Sequence, residues 1–64
     1  MNIQTGYGNQ VKVTCIDGMV VEGLYSIYTQ AQDNVPEKAS ITLETDDGLV
    51  EIYEDEIRNI ETLS

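Results

Sequence analysis

Apolar and polar residues alternate along Val11-Lys12-Val13-Thr14-Cys15-Ile16, which predicts a first strand with Val11, Val13 and Cys15 on one face and Lys12 and Thr14 on the other. The alternation stops at Asp17-Gly18 and resumes over residues 19–29. Asp-Gly between two apolar runs predicts a hairpin, because a two-residue turn of the favoured hand needs positive φ values that Gly tolerates and Asp accepts. The device returns at Asp46-Asp47-Gly48, between residues 39–45, where Ala39, Ile41 and Leu43 point inward, and residues 49–53. Gly18 and Gly48 are therefore expected to be structural.

The second strand is long, rich in Val, Ile and Tyr, and carries Gly23 near its middle. Glycine inside a strand costs conformational entropy, so Gly23 predicts a bulge or a sharp bend. The period places Val21, Tyr25 and Ile27 on one face and Val20, Leu24 and Tyr28 on the other, as suits a bent strand serving two halves of a barrel.

Residues 30–38 form the longest polar stretch and contain the only proline, Pro36, which excludes a helix or a central strand there. Two readings fit the last segment. Tyr53, Ile57, Ile60 and Leu63 fall at helical spacing behind Glu54-Asp55-Glu56; alternatively a tight turn over residues 54–57 leads into a closing strand over residues 58–63. Four preceding strands leave an edge to be paired, which favours turn plus strand. The expected architecture is all-β: residues 1–9 as a loose arm, then a five-stranded, strongly bent SH3-type barrel over residues 10–64.

With 64 residues the chain makes one small domain, for which a partner or self-association adds stability. One cysteine and no histidine supply neither an internal disulfide nor a zinc tetrad, and Cys15 is expected as a packed small hydrophobe without a base to activate it. Twelve acids face three cations, a formal charge of −9 that disfavours nucleic acid and suits a basic protein partner. No segment has the length of an apolar membrane span, and Met1-Asn2-Ile3-Gln4-Thr5-Gly6 lacks the basic flank and apolar core of a signal peptide, so a cytoplasmic protein without membrane attachment is expected.

The run Asp17-Gly18-Met19-Val20-Val21-Glu22-Gly23-Leu24-Tyr25 resembles the first motif of the Sm-like proteins, in which a turn glycine is followed by an apolar residue, a variable one and a glycine in the bent second strand. The resemblance makes Asp33-Asn34 the counterpart of that family's loop Asp and Asn. It implies the five-stranded barrel and a ring or paired assembly. The family's RNA binders carry a second motif of an apolar residue, a basic residue and a glycine near the turn from fourth to fifth strand. Here that region reads Ile52-Tyr53-Glu54-Asp55-Glu56-Ile57, with three acids and no glycine.

Two groups stand out as candidate contact sites. Asp33, Asn34 and Glu37 gather polar groups on the loop held by Pro36, where Asx side chains equally serve as turn formers. Glu54, Asp55 and Glu56 offer an acidic contact face, though without the order of acids and glycines that a calcium loop needs. Tyr7, Tyr25, Tyr28 and Tyr53 lack the interleaved cations of a stacking platform for single strands. No catalytic set, metal site or cofactor is expected. The leading expectation is a non-enzymatic interaction module that self-associates; an acidic nucleic-acid mimic aimed at a basic-grooved nuclease or regulator, and a divergent RNA binder, are the alternatives.

Overall fold

The computed structural model describes residues 2–63 and contains five strands: β1 (Gln10–Cys15), β2 (Val20–Thr29), β3 (Ser40–Thr45), β4 (Gly48–Tyr53) and β5 (Ile57–Thr62). They form one antiparallel sheet in the order β4-β3-β2-β1-β5. The all-β expectation holds. The only helical pieces among the described residues are two single 3-10 turns, Ala31–Asp33 and Glu54–Glu56, and no helix is long and apolar enough to cross a membrane. Of the two readings of the last segment, turn plus strand is the one observed.

A single sheet has no second layer, yet Val11, Val13, Tyr25, Ile41, Leu43, Ile52, Ile57 and Ile60 form one buried cluster drawn from all five strands. The sheet must therefore curl so that its inner face packs on itself. It curls without closing, since β4 and β5 each pair on one side only. Gly23 marks a close approach of β2 to the backbone of β3. It pairs with Val11 on one side, and a β-carbon built on it would meet the backbone oxygen of Glu44 at 2.5 Å. Only a residue without a side chain fits between β2 and the end of β3.

The bulge in β2 lies three residues beyond Gly23, at Ser26. The register with β3 shifts between Tyr25 and Ile27, leaving Ser26 as the extra residue. One inserted residue reverses the parity of everything after it. Tyr28 thus joins the inner face opposite Ile41, while Ile27, expected on the same face as Val21 and Tyr25, pairs with Thr42 and is 48% exposed.

Both hairpins also turn differently from the two-residue, positive-φ form expected. No non-glycine residue among those described has positive φ, so Asp17 and Asp47 are not in the left-handed region. The Gly18 amide donates to the Cys15 carbonyl (2.9 Å) and Gly18 takes φ 91°, while Gly48 takes φ 112° at the start of β4. At β1–β2 a turn of ordinary hand followed by left-handed Gly18 gives a longer, bulged connection, whereas β3–β4 keeps two residues, Asp46 and Asp47, between the paired Thr45 and Gly48. Asp17 contributes through its side chain, whose Oδ1 accepts from the Met19 amide at 3.0 Å.

Residues 2–9, expected as a loose arm, fold back across β2 as linked turns. The Gly8 amide donates to the Tyr25 carbonyl (2.9 Å), the Tyr25 amide to the Asn9 carbonyl (3.0 Å), and the Tyr25 hydroxyl to the Ile3 carbonyl (2.8 Å). Ile3 packs against the core cluster, and the Tyr7 ring meets Tyr25 edge-on at 5.4 Å. Tyr25 is fully buried, and that burial, with Tyr28 and Tyr7 nearby, pushes its phenol up to about 12.

Candidate functional site

The acidic turn Glu54–Glu56 occupies the link between the strands at the two edges of the sheet, and two other elements converge on it. The Glu54 amide donates to the Ala39 carbonyl at 2.9 Å, holding the turn to the end of the long loop. Lys38 reinforces that contact with a 2.7 Å ion pair to Asp55, which raises the lysine's pKa. On the other side the Ile16 amide donates to the Glu56 carbonyl at 2.9 Å, so the β1–β2 turn is fixed to the same spot. Glu56 also caps its own turn, Oε1 accepting from the Tyr53 amide at 3.2 Å.

The loop that carries the first candidate group and the acidic turn therefore meet at one end of the molecule through Lys38 and Asp55, while Asp33, Asn34 and Glu37 make no hydrogen bond to the turn. They differ in character. Asp33 and Glu37 are exposed and make no side-chain hydrogen bond among the described residues. Asn34 is a structural residue: its Nδ2 donates to the Lys38 carbonyl at 2.7 Å and to the Ser40 hydroxyl at 3.0 Å. Ser40 is completely buried beneath the loop and passes its own proton to Glu51 Oε2 at 2.7 Å. This Asn34-Ser40-Glu51 chain fastens the loop to the outer face of β3 and β4. The sequence hides it, because Ser40 sits at the outward parity of a strand whose other face supplies the core.

A second feature lies beside the acidic turn. An open groove of about 380 Å³ runs along the seam where the curled sheet brings the edge strand β4 opposite the β1–β2 turn. Its floor is apolar, made by Cys15, Val21, Val50 and Ile52. Ile16 and Met19 stand at its lip, 62% and 64% exposed. Asp17, Glu51 and Glu56 also line it, Glu51 with its carboxylate turned away to Ser40. Burial pushes the Cys15 thiol up, and Asp17 and Glu56 push it the same way, so the sulfur stays protonated. Two large apolar residues flanking Asp17-Gly18, where turns are ordinarily polar, were the sequence signal for this groove.

Asp46 and Asp47 lie at the other end of β4, roughly 17 Å away for six extended residues. Of the twelve acids, Asp55 alone is ion-paired among the described residues. No group of three or more potential metal ligands converges among those residues either. In comparisons with known proteins the chain matches no family model, no curated protein and no solved structure.

Proposed function

We propose that the chain is a small acidic, non-enzymatic interaction module of the Sm-like barrel type, acting in the cytoplasm through protein contacts and assembling with copies of itself along its sheet edges. The pair of free edges carries this reading. β4 and β5 are each six residues long, and each has a strand partner on one side only. Natural sheets blunt such edges with proline, lysine or a covering element. Neither strand holds a proline or a lysine, Arg58 is the only cation on either, and Leu49 stands 70% exposed on β4. Laying β4 of one copy along β5 of the next satisfies both rows of backbone groups. It also adds apolar burial to a domain too small to bury much alone.

The other classes find less support. A nucleophilic cysteine needs a lowered pKa, whereas Cys15 is held protonated by its surroundings. A phosphate backbone approaching the turn where the resemblance puts base recognition meets Glu54, Asp55 and Glu56 with one lysine among them, already paired. A nucleic-acid mimic is favoured by the mostly unpaired carboxylates among the described residues.

Light scattering over a protein-concentration and salt series tests the leading reading. Self-association gives masses at multiples of 7.1 kDa, retained or increased as salt screens the repulsion between chains of −9. A mass of 7.1 kDa under every condition overturns it.

A further inference from the structure

We propose that the groove along the seam of the curled sheet is a docking site for a short cationic-apolar segment of another protein: one or two large apolar side chains flanked by lysine or arginine. This goes beyond self-association and does not depend on it.

Three observations fix the chemistry of the occupant. The floor of Cys15, Val21, Val50 and Ile52 accepts hydrocarbon, and at about 380 Å³ the groove is near the small end of ligand sites, which run from about 300 to 1,000 Å³. Ile16 and Met19 project at its lip as exposed apolar residues, and methionine's unbranched thioether adapts its shape to a partner. The charged residues lining the groove are Asp17, Glu51 and Glu56, of which Glu51 turns its carboxylate to Ser40 on the outer face, and no lysine or arginine is among them.

The third observation decides between occupants. The acids lining the groove oppose nucleic acid and an anionic membrane surface, and the cationic segment they favour is not one that a chain with only Lys12, Lys38 and Arg58, far apart in sequence, supplies. A segment with cations on either side of an apolar centre meets both the floor and the rim. Such ordering, an apolar anchor within a charged border, is the usual arrangement of a protein contact. The hydrogen bonds that Asp17 and Glu56 make to the Met19 and Tyr53 amides fix both carboxylates in place before a partner arrives.

The probe is a capped heptapeptide with a Leu-Phe-Leu centre and two lysines on each side, titrated into the full-length protein labelled with nitrogen-15. The expected result is saturation below about 1 mM, with shifts concentrated on the amides of residues 15–21 and 50–52. Alkylation of Cys15, the chain's only thiol, slows in parallel. Asp17→Asn combined with Glu56→Gln keeps both hydrogen-bond acceptors while removing two charges, and weakens binding about tenfold. Met19→Asp, at an exposed position that the fold does not need, weakens it at least as much. The unchanged remainder of each variant's spectrum verifies folding. A peptide with Ser-Ser-Ser at its centre that binds equally well, or shifts scattered over all the acids, overturns the proposal, as does the absence of saturable binding. Light scattering reports on self-association separately, so either idea fails without the other.

Discussion

The backbone oxygen of Glu44 lies 2.5 Å from the position a β-carbon on Gly23 would take. Gly23 has no positive φ, so any residue suits its backbone angles and the requirement is purely one of space. The obstacle is main chain, which cannot swing aside as a side-chain tip does. Gly23→Ala is expected to cost about 2–3 kcal/mol by overpacking. Gly8→Ala is the matching control, with open space around it but φ 85°, and costs about 1 kcal/mol for the left-handed backbone. Urea unfolding of the two variants measures the difference, and equal midpoints would show that the close approach does not exist.

Tyr25→Phe removes the hydrogen bond to Ile3 and with it a tie between the arm and β2. The loss at neutral pH is about 1 kcal/mol. The same phenol makes the protein sensitive to alkali. Unfolded, Tyr25 ionises near pH 10; folded, near 12, so between those values the native state keeps a proton that the unfolded state has lost. Stability is full below pH 10 and falls as pH rises through the window, by an amount on the order of 2 kcal/mol. Unfolding free energies measured from pH 8 to 12 are expected to decline more steeply for the wild type than for Tyr25→Phe. Parallel declines would assign the alkaline loss to other groups.

Asn34→Ala and Asn34→Asp separate a turn former from a fastener. Alanine leaves the buried Ser40 hydroxyl with Glu51 but gives up both Nδ2 donations. Aspartate sets an acceptor against the Lys38 carbonyl, with the Glu51 carboxylate close by across Ser40, and is the more damaging change at about 1–3 kcal/mol. Thermal melting gives the order of stabilities. Tryptic cleavage after Lys38 reports on the loop and is expected to quicken in the same order; cleavage at the wild-type rate in both variants would mean that Asn34 does not hold it.

Ser26 carries a buried hydroxyl with no hydrogen-bond partner among the described residues. Its place in the β2 bulge leaves that oxygen without a ladder or a turn to serve. Ser26→Ala removes an unsatisfied group at no packing cost, so it is expected to be neutral or to stabilise by up to about 1 kcal/mol. A loss of 1 kcal/mol or more would reveal a partner for the hydroxyl.

The strands themselves were legible from the chain, because alternation and the two glycine-bearing turns act locally. The observed β5 begins at Ile57, one residue before the expected strand, and the turn ahead of it, Glu54–Glu56, falls within the turn expected over residues 54–57. What the chain conceals is parity after an insertion. Nothing in Tyr25-Ser26-Ile27 announces that Ser26 is the extra residue, yet that residue sends Ile27 outward and Tyr28 inward. The arm was unreadable for a related reason. Residues 2–9 lack a period because they bond to Tyr25 rather than to one another in a regular ladder. At the acidic end the chain offers Glu54, Asp55 and Glu56 as a set. That Lys38 reaches Asp55 and Ile16 reaches Glu56 follows from the β3–β4 and β1–β5 registers, which run on past the pairs Ser40 with Tyr53 and Cys15 with Ile57.

Edge pairing is tested most directly by amide hydrogen exchange followed residue by residue at low and high protein concentration. Assembly through the edges predicts that protection in β4 (Gly48–Tyr53) and β5 (Ile57–Thr62) rises together with concentration, while the central strand β2 stays protected throughout. Edge amides that exchange at the same rate at every concentration would contradict the account.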